Sequence, residues 1–221
     1  MRWTELPVHV IDFEGSVRTG VVEFGVVTLR GGAIERCATG ICRPRGKVRA
    51  EETAVHGLDE ARLAVEAPFE SHWATFSVLR ETGVLAAHFA ATENALLRAT
   101  WPCPRLSPDF LHPGSESAEW GPWIDSGRLV QEWRADTGTA ALADVVARLG
   151  LSEALEKLAE EICAADRRRY HCALFDALAA ALVLVALGYD EAGEPHSLAH
   201  MLASSTADSR RRDERRQRTL F

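Results

Sequence analysis

The order of periodic segments predicts an α/β chain. Three strand-like runs fill the first 41 residues, a helix-periodic stretch follows Pro68, and a short apolar run at residues 84–87 feeds directly into another helical stretch. At 221 residues the chain can build one large domain, or one domain and a tail, with ample core. A composition change near Ser204 favours the second, with a domain over 1–203 and a basic tail over 204–221.

The first run is Val8-His9-Val10-Ile11-Asp12-Phe13-Glu14-Gly15-Ser16. Alternate residues of a strand share a face about 6–7 Å apart, so Asp12 and Glu14 project together where the strand ends. Two unscreened carboxylates at that separation repel unless a proton or a cation lies between them. Oxygen donors of this kind suit Mg²⁺ or Mn²⁺. Residues 21–29 are rich in β-branched side chains, and Gly31-Gly32 turns the chain into a third strand over 33–41. Short turns between the three imply an antiparallel meander. The basic loop 43–49 comes next and can meet phosphate, and His56-Gly57 reads as a turn.

From Pro68, the residues Phe69, Trp73, Phe76 and Leu79 recur at helical spacing, and Gly83 stops the helix. Residues 84–87 form a short buried strand leading to His88 and a helix with Glu93 in its early turns. The segment between Trp101 and Pro122 holds five of the nine prolines. Such segments serve as lids or partner surfaces, or stay unstructured. Trp123-Ile124-Asp125 reads as a final strand. Thr139 can cap a helix carrying Leu142, Val146 and Leu149, and Ser152 opens another with Leu155, Leu158 and Ile162. The apolar run 177–187 is too short to span a bilayer and has Asp176 at its start, so it reads as a buried helix. His171 and Asp176 are five apart and do not stack on one helix, yet both reach one site if His171 sits on the preceding loop.

With 25 Lys+Arg against 32 Asp+Glu, the net charge of -7 excludes a global basic field for nucleic acid. A polyanion must be held by a local basic patch or through bound metal. The 5 cysteines form no C-x-x-C pair, which suits reduced thiols of a cytoplasmic protein. The strand-like run starts too early to leave room for a signal peptide, and no membrane partner is expected.

Collected, the acids Asp12, Glu14, Glu93 and Asp176, with His171 as an imidazole, form the set that two-metal phosphodiester hydrolysis requires. The imidazole can take the proton of an attacking water. At these residues the chain resembles the DnaQ-like (DEDDh) 3′–5′ exonucleases. Val10-Ile11-Asp12-Phe13-Glu14 matches their first motif and Val55-His56-Gly57-Leu58 their His-Gly-Ile segment. The stretch from Ala87-His88 to Glu93 matches their second motif, Trp123-Ile124-Asp125-Ser126 the strand before their later helices, and His171 to Asp176 their third motif. The resemblance covers about residues 7–188.

The resemblance implies an RNase H-like fold: a mixed five-stranded sheet, its first three strands antiparallel, flanked by helices. It implies removal of nucleoside monophosphates from the 3′ end of single-stranded or frayed DNA. Asp12, Glu14, Glu93 and Asp176 would hold two Mg²⁺ or Mn²⁺ ions, His171 would be the general base, and Phe13, Gly15 and His56 would line the nucleotide pocket. Three positions depart from the family pattern: Phe89 replaces an Asn, Glu93 an Asp, and Gly15 a Thr. Glu93 keeps the charge and adds a methylene. RNA as substrate, or a catalytically impaired DNA-end adaptor, are the alternatives. The tail stretch 209–221 holds six arginines and ends in Gln217-Arg218-Thr219-Leu220-Phe221, which resembles the Q-x-x-L-F peptide that docks on the bacterial sliding clamp. Gln217, Leu220 and Phe221 would then tether the chain to a clamp or a polymerase.

Overall fold

The computed structural model describes residues 1–206, so the tail residues Gln217, Leu220 and Phe221 lie outside the described part. Strands β1 (Val8–Ser16), β2 (Gly20–Arg30) and β3 (Ala33–Ile41) make the expected antiparallel meander. Helices α1 (Ala50–His56), α2 (Glu60–Ala64) and α3 (Trp73–Thr82) then carry the chain to β4 (Val84–Ala87), which runs parallel to β1. After α4 (Ala91–Thr100) and a two-residue pair, β5 (Ser107–Pro108) with β6 (Glu116–Ser117), comes β7 (Trp123–Asp125), parallel to β4. The mixed five-stranded sheet therefore has the order β3-β2-β1-β4-β7. Helices α5 (Ser126–Trp133), α6 (Leu142–Arg148), α7 (Ser152–Ile162), α8 (Ala173–Leu187) and α9 (Leu198–Ser204) complete the described chain. Ser204, which the composition placed at the start of the tail, is buried in α9, and the Ser205 hydroxyl accepts from the Asp125 N–H at 2.9 Å.

Each face of the sheet carries its own core. On β1, Val8 and Val10 pack with the leucines and alanines of α8, while Ile11 and Phe13 join Phe69, Phe76, Leu96 and Leu97 on the other side. The strand period of 2 makes that division. β2 is buried along its length except at Arg30, because helices or aromatic rings cover both its faces. α8 is apolar all round and buried nearly throughout, as a helix between a sheet and further helices must be.

Two helix starts differ from the sequence reading. Residues Phe69–His72 wind as a 3-10 turn, so α3 starts at Trp73. Phe89 takes φ 63°, which delays α4 to Ala91. The Pro-rich segment is held in place. Arg80 on α3, 2 % exposed, donates to the carbonyls of Glu119 (2.8 Å), Pro108 (3.0 Å) and Gly121 (3.3 Å). Trp120 from the same segment is buried against Trp73 and Trp101. The basic loop is engaged in part, with Arg45 donating to the Ala99 carbonyl at 3.1 Å.

Candidate active site

Pairing between β1 and β4 involves only Val8, His9 and Val10. Beyond Val10, β1 runs on without β4, and Asp12 and Glu14 stand on that extension, on the face shared with Val8 and Val10. Two glycines make room there. Gly25 is the cross-strand partner of Asp12, and a Cβ on it would overlap the backbone of Ala173, so the first turn of α8 lies directly on β2. Gly15 follows Glu14 at a register shift with φ 125°, where any side chain would collide with the Gly20 carbonyl.

The first turn of α8 brings Asp176, and the residue before it in the site, His171, sits on the loop with φ 63°. The His171 N–H donates to Asp176 Oδ2 at 2.9 Å, which fixes the loop to the helix. Among the described residues, the candidate ligand atoms of Glu14, His171 and Asp176 all lie within 4.8 Å of one another. Asp12 and Glu93 adjoin this trio. Burial, then the charges of Asp176, Glu93 and Glu14, hold the Asp12 carboxyl well above its ordinary range. Glu14 is pushed up to about 8, chiefly by burial and then by Asp176. Glu93, only 5 % exposed, is likewise raised to about 8 by burial, although the Phe13 N–H works the other way. Asp176 is raised to about 7, again mainly by burial. Glu93 is thus near enough for its charge to act on Asp12 and for that of Glu14 to act on it, although the ligand atoms gathered within 4.8 Å come from Glu14, His171 and Asp176.

The remaining expected residues sit differently. The Phe13 ring turns to the opposite face, 6 % exposed, against Phe69 and Phe76 at centroid distances of 5.3 and 5.5 Å. Its backbone is what it offers to the site. His56 is 2 % exposed at the end of α1, and its Nδ1 accepts from the Leu58 N–H at 3.0 Å. Its carbonyl accepts from Arg167 Nη1 at 2.6 Å, and its buried Nε2 has no hydrogen-bond partner. Gly15 stays beside Glu14 at the strand end.

Three further residues support the pocket. Glu23, buried on β2 across from Glu14, forms an ion pair with Arg167 and accepts the Ala173 N–H at 3.1 Å. It thus ties β2 to the start of α8. A charged side chain inside Val21-Val22-Glu23-Phe24 is the signal for it, because a carboxylate in a doubly buried strand must be paired. Asp125 accepts the N–H groups of Phe89 (3.0 Å), Ala90 (3.1 Å) and Arg128 (3.0 Å), joining the end of β7 to the start of α4. Arg169 lowers both Glu14 and Asp176 toward the charged form.

Among the described residues, two buried carboxylate oxygens of this pocket, Glu93 Oε2 and Asp176 Oδ1, have no hydrogen-bond partner. Orphaned acceptors amid mutually repelling acids are what a cation would satisfy. Four carboxylates and one imidazole form an oxygen-rich donor set that fits Mg²⁺ or Mn²⁺.

No protein-family model and no curated protein matches the chain. Solved structures do resemble it. Exonuclease X in complex with 5′ overhanging duplex DNA shares 18 % identity at a TM-score of 0.59, over 85 % of this chain and 97 % of that one. The nuclease domain of 3′hExo, a DEDDh family member bound to rAMP, shares 16 % at 0.57, over 81 % and 90 %. E. coli Exonuclease I in complex with a dT13 oligonucleotide shares 10 % at 0.60, over 81 % of this chain and 40 % of that one. At these identities the likeness establishes the fold, an RNase H-like mixed sheet flanked by helices.

Proposed function

We propose that the chain is a divalent-metal-dependent 3′–5′ exonuclease that removes nucleoside monophosphates from single-stranded or frayed DNA ends. The observation that carries this reading is the convergence of Glu14, His171 and Asp176 within 4.8 Å, with Asp12 and Glu93 close enough to raise one another's proton affinity. The shared fold with solved 3′-exonucleases adds support. Asp12, Glu14, Glu93 and Asp176 would hold two ions. Bound there, the ions supply Lewis-acid stabilisation of the phosphoryl oxygens and ease deprotonation of water. A ring nitrogen of His171 takes the proton of the attacking water as the P–O3′ bond breaks, and Asp176 keeps the His171 loop in register through their hydrogen bond.

End-labelled single strands incubated with Mg²⁺ or Mn²⁺ should shorten from the 3′ end, and EDTA should stop this. No metal-dependent shortening, or equal shortening by the Asp12→Ala, Asp176→Ala double variant, refutes the proposal. Matched DNA and RNA oligomers decide the substrate, since the choice depends on contacts to the 2′-OH. The adaptor alternative gives binding without turnover. The tail, through its Q-x-x-L-F-like end, is proposed as a tether to a sliding clamp. Retained clamp capture after deletion of residues 217–221 would end that part of the reading.

A further inference from the structure

Among the described residues, Phe89 and His171 are the two non-glycines with positive φ, both at 63°. A bulky side chain in that region is strained, and such residues gather at functional sites where the surroundings hold them. The two are held alike. His171 donates its N–H to Asp176, and Phe89 donates its N–H to Asp125 Oδ1 at 3.0 Å. The Phe89 ring rests on the first turn of α5, so closely that a Cβ on Gly127 would come within 2.9 Å of it. His88 abuts its edge at a centroid distance of 4.9 Å and is itself fixed by Ser126 Oγ (2.9 Å) and the Ala140 carbonyl (2.7 Å).

Although braced in this way, Phe89 is 37 % exposed. It lies four positions before Glu93 and immediately before Ala90 and Ala91, which line a cavity of about 740 Å³ together with Asn94, Arg98 and Arg128. A braced and exposed aromatic thus adjoins, along the chain, a cavity whose lining carries two guanidinium groups beside the carboxylates of Asp109, Glu119 and Asp125. We propose that Phe89 is a stacking platform for a base on the 5′ side of the scissile phosphate. Stacking of this kind tolerates any sequence, because every base has a π-face. The backbone of the strand would pass toward Arg98 and Arg128. This assignment rests on the nuclease reading above and adds a residue that sets how much single strand is gripped.

The test uses the Asp12→Asn background to stop turnover, with Mg²⁺ present. Binding of a 5′-fluorescein oligothymidine is followed by anisotropy while one abasic site is moved stepwise from the 3′ end. Phe89→Ala should weaken binding about tenfold, within the span known for base–aromatic stacking, and Phe89→Trp should restore it. At one position the abasic site should weaken binding to the Phe89 protein by a similar factor and leave the Phe89→Ala protein unaffected. Equal sensitivity of both proteins at every position, with binding otherwise intact, overturns the platform. Failure of every version to bind the strand overturns the nuclease reading as well.

Discussion

Replacing Glu93 by Gln separates the cost of the acid cluster to folding from its use. The carboxyl is 5 % exposed, has one orphaned oxygen, and is raised from 4.5 to about 8. Because the folded form holds its proton more tightly than the unfolded chain, stability is highest below pH 4.5 and falls as the pH rises toward 8. The full shift would be worth roughly 5 kcal/mol, and shared titration with Asp12 reduces the part assigned to one residue to about 1–3 kcal/mol. The amide has the same shape and no charge. In EDTA at pH 8 the variant should therefore melt roughly 3–10 °C above the parent, and at pH 5 the two should nearly coincide. His9, lowered to about 4, destabilises the fold in acid, but equally in both proteins, so their difference isolates Glu93. Added Mn²⁺ should reverse the order at pH 8, because ions at 100 times their dissociation constant add about 2.7 kcal/mol to the protein that binds them. Differential scanning fluorimetry reads all four conditions. A gap that does not vary with pH, or an equal Mn²⁺ shift in both proteins, would refute the account of the site as a cation cage.

Gly25→Ala should destabilise the protein by at least about 2 kcal/mol and abolish nuclease activity without touching an ionisable group, because the added methyl drives the first turn of α8 off β2; chemical denaturation and the end-labelled assay check it, and a soluble, active variant would count against it. His171→Ala should cut kcat by roughly 10²–10⁴ with little change in KM, as measured in single-turnover digestion; an unaltered rate would remove His171 from the chemistry. Arg80→Met leaves the carbonyls of Pro108, Glu119 and Gly121 without their donor, so a loss of about 2–4 kcal/mol is expected. Limited proteolysis should then cut first within residues 102–122, and cleavage at the parent's rate would contradict the role given to Arg80.

Much of the fold was legible because β1, β2 and β4 carry clear apolar runs and Gly31-Gly32 turns the chain into β3. The helix at Ala173–Leu187 was legible for the same reason. What escaped were features fixed by tertiary partners. Phe89 shifts the start of α4 because Asp125, 36 positions away, captures its N–H. No local propensity encodes that. The Pro-rich segment gave three readings because the Arg80 that binds it lies on α3, and an arginine at one site says nothing of carbonyls at another. In the site, residue type and spacing singled out Asp12, Glu14, Glu93 and Asp176, of which the fold gathers Glu14 and Asp176 with His171. Phe13 was misplaced for an instructive reason: the alternation that puts Asp12 and Glu14 on one face sends the residue between them to the other. Glu23 went unremarked although its charge in a doubly buried strand was the clue.

The pocket draws its residues from β1, α4 and the loop before α8, and Gly25 shows that the last of these must settle onto the sheet before the imidazole faces the acids. A chain still emerging from the ribosome, with residues 171–176 unfinished, possesses Asp12, Glu14 and Glu93 but neither His171 nor Asp176. The full donor set therefore exists only once residue 176 has been made and the first turn of α8 has packed onto β2.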